Sequence, residues 1–189
     1  MSSSATPKAA GSGVGFSPGN VDRGASPRGP SGSRASWLFG LAIALTVAAM
    51  LKPILWDDEV YFQFARYIAQ HPFDPYAARI WVNGHSLDGL YVLAPPVLLY
   101  WWAGAISLFG PSICVSAIAM FPFAAAYTIS FYNLARRFAP ELALPLTVMA
   151  TISPWALVTT GYMLDFPAVA LGLASLSLFV AGSDRGAPG

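Results

Sequence analysis

Three adjacent carboxylates, Asp57-Asp58-Glu59, stand in the run Trp56-Asp57-Asp58-Glu59-Val60-Tyr61-Phe62-Gln63-Phe64-Ala65-Arg66, directly after the first stretch apolar enough to enter a bilayer. If this run is helical, Asp57 and Tyr61 lie four apart on one face, and Arg66 follows one to two turns on. Acids on a first helical turn also suit the positive end of the helix dipole, so an acidic surface-helix start accounts for the triplet as well as chemistry does. What favours chemistry is their position at a membrane boundary in a chain with only nine acids. A second acid, Asp165, is flanked by Leu164, Phe166 and Pro167 between two apolar stretches, where a carboxylate is expensive unless it is solvated, paired or used. A carboxylate beside a hydroxyl of high pKa can serve as its general base, and a cation near a leaving phosphate stabilises it. Arg66, Arg79 and Lys52 are the cations within this part of the chain. His71 and His85 with Asp74 or Asp88 leave a divalent metal open, but their spacing follows no standard site.

The elements that carry these residues belong to a membrane protein. The 189 residues are 56% hydrophobic and 10% charged, whereas about a quarter of a soluble domain is charged. The net charge of +1 hides a segregation. Residues 1–36 hold Lys8, Arg23, Arg28 and Arg34 against Asp22, while 57–111 hold five acids and both histidines against Arg66 and Arg79. Such a split fits two compartments. The single Cys114 lies in an apolar run and reads as a small hydrophobe. No Gly-rich phosphate loop or nucleic-acid motif is present.

Residues 1–36, rich in Ser, Gly, Pro and Ala, are expected to form a disordered cytoplasmic tail. Residues 37–56 read as an uncleaved signal anchor, with Lys52 able to snorkel at its far end. Further spans are expected at about 113–134, 142–162 and 166–181, with a short tail at 184–189. The fold class is therefore all-α, a polytopic helical protein of about four spans with a large first external loop over 57–112. Within that loop, Asp57–Ala69 has helical spacing, His71-Pro72-Phe73-Asp74-Pro75 breaks the chain, and Asn83-Gly84 is a turn dipeptide. The apolar stretch 90–109 decides the topology. If it crosses, Arg136 and Arg137 face outside and Asp165 inside, against the positive-inside bias. If a helix over about 96–109 lies at the interface, the basic clusters are cytoplasmic, and Asp165 shares the outer face with Asp57 and Asp58.

Asp57-Asp58-x-x-Tyr61-x-x-x-Ala65-Arg66, Pro95-Pro96-Val-Leu-Leu-Tyr-Trp-Trp ending in Leu108-Phe109-Gly110, Leu134-Ala135-Arg136-Arg137, and Ser153-Pro154 followed by Met163-Leu164-Asp165-x-Pro167 occur in one order. Over roughly 37–181 this pattern resembles the N-terminal part of a C-superfamily membrane glycosyltransferase. The nearest likeness is to family 39, the protein O-mannosyltransferase and lipid A aminoarabinose transferase type. The resemblance implies a polyprenyl-phosphate sugar donor and inverting transfer to an acceptor glycan, lipid or protein on the outer face of the cell membrane. It matches Asp57 to the general base, Asp58 to its acidic neighbour and Asp165 to the second-loop acid, with Tyr61, Arg66 and Arg79 as donor or substrate contacts. Leu93-Ala94 stand where the family often carries Lys or Asn before Pro-Pro. Family members are much longer, so the chain is expected to be an N-terminal module. The competing expectations are a non-catalytic membrane protein that binds a lipid or partner through its outer loop, and a small transporter using Asp165 for proton coupling.

Overall fold

The computed structural model describes residues 32–92 and 96–186. Most of the expected tail and the Leu93-Ala94-Pro95 approach to the second proline lie outside the described residues. Helix α1 runs Gly32–Leu51 and so begins before Trp37. Once the apolar run is helical, adding Ser and Ala residues to its end fixes few dihedrals per bond gained, and Ser36 Oγ donates to Gly32 O at 3.0 Å. Pro53, with no N–H and a ring that clashes with the preceding turn, follows directly upon its end.

Helix α2 spans Trp56–Gln70. The Asp58 carboxylate reaches back to accept from the N–H of the N-cap residue Leu55 at 3.2 Å, which satisfies one orphan donor of the first turn. Phe64, Ala65 and Ile68 are buried against helix α4, Pro96–Phe109, which answers with Leu99, Trp102, Ala103 and Ile106 at helical spacing. Between these helices, strands β1 (Arg79–Val82) and β2 (His85–Asp88) form an antiparallel hairpin with Ile80 opposite Leu87 and Trp81 opposite Ser86. Asn83 and Gly84 both have positive φ, 54° and 79°, as a two-residue hairpin turn demands. The otherwise all-α fold thus contains one small sheet, followed by the short helix α3, Gly89–Val92.

Helices α5 (Ile113–Ala119) and α6 (Phe121–Phe138) follow one another with a break at Met120, where Pro122 enters the first turn of α6. The stretch expected as one span over 142–162 is instead two short helices, α7 (Ala143–Thr151) and α8 (Pro154–Thr159). Pro154 cannot donate to the preceding turn, and Ser153 Oγ accepts from Ala156 N at 3.2 Å to cap the new helix. Helix α9, Asp165–Gly186, closes the bundle against α6 and continues through the first half of the expected C-terminal tail. Among the described residues, three helices are long and apolar enough to cross a membrane: Gly32–Leu51, Ile113–Phe138 and Asp165–Asp184. Phe39, Ile43 and Val47 on α1 and Leu171, Leu178 and Phe179 on α9 stay exposed, which fits a membrane protein with lipid around its helices.

The bundle has two distinct ends. At one, Leu38 near the start of α1 packs with Tyr132 of α6 and Ala143 of α7, and Arg137 pairs with Asp184 near the end of α9. At the other, Lys52, Pro53, Ile54, Ile113, Ser116 and Tyr162 line one small cavity. Residues 52 and 113 therefore meet, and the segment between them, α2, the hairpin and α4 included, leaves and returns to the same end. Trp101 Nε1 donates to Ala119 O at 2.8 Å, and the Tyr100 hydroxyl donates to Pro72 O, which fastens α4 to both sides of this segment.

Candidate active site

Asp58 is the acid that holds the end together. It is 1% exposed, and its position one residue after Asp57 turns it about 100° around α2 toward the bundle. Lys52 Nζ, just beyond α1, lies 2.9 Å from Asp58 Oδ2. The same ammonium donates to Val158 O at 2.6 Å. Asp58 Oδ1 accepts from Tyr162 N at 3.0 Å. One carboxylate and one ammonium thus join the end of α1, the start of α2 and the connection from α8 to α9. Gly161 lets them meet. A Cβ there would lie 2.9 Å from Lys52 Nζ and 3.1 Å from Asp58 Oδ1, closer than a side chain tolerates. The adjoining cavity of about 20 Å³ is lined in part by Ser116 and Tyr162, whose buried hydroxyls face each other.

The connection fixed in this way leads straight into α9, whose first residue is Asp165. Phe166, fully buried with its ring 5.3 Å from that of Tyr127 and 6.2 Å from that of Trp155, anchors the helix start and leaves Asp165 exposed beside it. Asp57 is also exposed. Both act on one group, Tyr61. Burial raises the Tyr61 phenol above its ordinary value of 10.0, and the negative fields of Asp57 and Asp165 raise it further. Tyr61 is therefore a neutral hydrogen-bond donor at physiological pH, with a carboxylate from each of two distant chain segments around it. A cluster of this kind can accept a proton at a carboxylate and orient a substrate oxygen with the phenol.

The remaining site candidates stand elsewhere. Arg66 follows Asp57 by two and a half turns and emerges on the opposite side of α2, with its guanidinium 5.8 Å from the Phe62 ring centre. Arg79 opens β1, exposed and in register with Asp88. The structure thus places Asp57 and Asp165 where the fields of both reach Tyr61, ties Asp58 to Lys52, and turns Arg66 to the opposite side of α2. His71 stacks on Tyr67 at 4.6 Å, and no group of three or more His, Cys, Asp or Glu among the described residues is placed to hold a metal. The sequence offers Lys52 as a cation at a span end and a candidate for the leaving phosphate, whereas Asp58 and Val158 O already hold its ammonium, and it offers Gly161-Tyr162 only as neighbours of Asp165. Their contacts cross from one end of the chain to the other, and no local spacing announces them.

The chain matches no protein-family model, no curated protein and no solved structure.

Proposed function

We propose that this chain is the N-terminal module of a membrane glycosyltransferase that moves a sugar from a polyprenyl-phosphate donor to an acceptor glycan, lipid or protein at the outer face of the cell membrane. The observation that carries the proposal is that Asp57 and Asp165, from two distant segments of the chain, both stand exposed toward the end of the bundle opposite Arg137 and both act on the Tyr61 phenol. Positive-inside bias then orients the N-terminus and the arginines toward the cytoplasm and the carboxylates outward, with the 143–159 helices completing a fourth crossing. The segment 53–112 is the outer loop of this arrangement, and α4 lies along the interface with Trp101 and Tyr100 in the aromatic belt.

In the proposed reaction an Asp57 oxygen takes the proton of the acceptor hydroxyl as that oxygen bonds to the anomeric carbon. The bond from that carbon to the phosphate oxygen breaks, and the lipid phosphate departs with the electron pair, needing no acid. Asp165 and Tyr61 hold the acceptor. Asp58 is a positioning residue, since Lys52 and Tyr162 N already occupy its oxygens. Arg66 lies on the side of α2 away from Asp57 and is not assigned to the leaving phosphate, and Arg79 is the exposed cation that the donor phosphate would draw upon. The test is sugar transfer from polyprenyl-phosphate donors in membranes of cells expressing the protein. Asp57→Asn should lower turnover more than about 100-fold at unchanged protein level. Wild-type turnover by that variant removes Asp57 from the mechanism.

A further inference from the structure

We propose that a cleft on the other side of α2 is a second, non-catalytic saccharide site, which holds a sugar unit of a glycan away from the carboxylates. The cleft has a volume of about 270 Å³ and is lined by Ile54, Leu55, Glu59, Val60, Trp81, Val82 and Asn83. Glu59 lies two residues beyond Asp57, about 200° around the helix, and Val60, about 60° from Asp57, forms the edge of the cleft nearest the Asp57–Tyr61 face.

Its central feature is an exposed indole carried on a fixed stretch of backbone. Trp81 is 63% exposed. Its backbone is clamped on both sides of the residue: Trp81 N donates to Gln63 Oε1 at 2.9 Å, and Gln63 Nε2 donates to Trp81 O at 3.2 Å. The Gln63 amide thus acts as a short substitute strand along β1. The same Nε2 donates to Glu59 Oε1 at 3.1 Å, which sets the carboxylate at the cleft edge and leaves its other oxygen to accept from a ligand. Asn83 adds an exposed amide from the hairpin turn.

These groups select one ligand chemistry. An alkyl chain would gain from Ile54, Leu55 and Val82 but would desolvate Glu59 and Asn83 without compensation. A small ion would have no use for the indole. A sugar ring offers C–H groups on one face, which pack on an indole, and hydroxyls at its rim, which donate to a carboxylate and exchange bonds with an amide. The volume, a little below the 300–1,000 Å³ of pockets for drug-sized ligands, suits a single ring. Binding energy gained here, remote from the reacting carbon, would hold an extended acceptor in place.

The experiment is saturation-transfer NMR on the full chain in amine-oxide micelles, free of glycosidic detergent, with mannobiose, lactose and an arabinofuranose disaccharide as probes. At least one should bind, and Trp81→Leu and Glu59→Gln should each weaken it by about tenfold or more. Trp81→Phe should retain part of the affinity, and Trp37→Leu, which removes an exposed indole on α1, should change nothing. Absence of binding by all three probes, binding unaffected by Trp81→Leu, or displacement of the sugar by decyl phosphate with equal loss in Trp37→Leu would overturn the proposal. Because no transfer is measured, this result is independent of the transferase proposal: sugar binding without transfer sinks the latter alone, and transfer without sugar binding sinks only the cleft.

Discussion

Replacing Asp58 by Asn, or Lys52 by Met, removes one half of an ion pair whose side chains are 2% and 12% exposed and 2.9 Å apart. At that distance and an effective dielectric constant near 20, the gross attraction is about 6 kcal/mol, and the desolvation of the two ions takes back several kcal/mol each. The intact pair is therefore close to neutral for stability, and the cost lies in breaking it. Lys52→Met leaves a buried carboxylate with only the N–H groups of Leu55 and Tyr162, and Asp58→Asn leaves an ammonium with only Val158 O. Each single variant should lose about 3–5 kcal/mol. The double variant should lose clearly less than the sum, with a coupling of about 2 kcal/mol or more. Unfolding in mixed micelles titrated with sodium dodecyl sulfate, followed by near-ultraviolet circular dichroism of the tryptophans, measures all three. Single losses below about 1 kcal/mol, the scale of an exposed pair, would refute the buried lock.

Gly161→Ala should cost about 1–3 kcal/mol in the same assay and much less in a Lys52→Met background, since the added Cβ falls 2.9 Å from Lys52 Nζ. The Tyr61 phenol is raised above 10.0, so its contribution to stability is complete below that value and is lost as pH climbs through the higher folded value. In a spectrophotometric titration, the difference between wild type and Tyr61→Phe should show a phenolate forming above pH 10, and Asp57→Asn or Asp165→Asn should each bring it down; ionisation at or below the ordinary value would separate those acids from Tyr61. For topology, in a Cys114→Ser background His85→Cys and Asp165→Cys should react with an impermeant thiol reagent from outside, and Arg136→Cys only after permeabilisation. Reaction of position 136 from outside alone would invert the proposed orientation.

The elements that were legible in the sequence are those whose signal is local. The unbroken run after Trp37, the apolar stretch expected over 113–134, which runs on to Phe138, and the Pro96–Phe109 helix follow from hydropathy and proline positions alone. The hairpin turn was marked by Asn83-Gly84, although the short strands beside it were not foreseen. Pro154 was visible within the third apolar stretch, but hydropathy cannot say whether a proline kinks a helix or, with Ser153 capping the next turn, divides it. At the site, the sequence distinguishes Asp57 as the matched base from Asp58 as its acidic neighbour only by resemblance, and expects both in one pocket. Their roles part because a step of one residue on a helix turns a side chain by about 100°, into the bundle for Asp58 and out of it for Asp57. The partners that exploit this turn, Lys52, Val158 and Tyr162, belong to other elements and become partners only through packing.

The central claim is that the Asp57 carboxylate takes the acceptor proton, and chemical rescue tests it most directly. Transfer from a polyprenyl-phosphate sugar would be measured in membranes of cells expressing the protein, wild type against Asp57→Ala, with increasing formate. Asp57→Ala should lose more than about 100-fold in turnover and regain activity with formate concentration, because a small carboxylate can enter the space and act as the base. The rescue should be absent in Asp58→Ala, whose defect is in architecture. Full activity of Asp57→Ala without formate, or formate rescue of Asp58→Ala and not of Asp57→Ala, would contradict it.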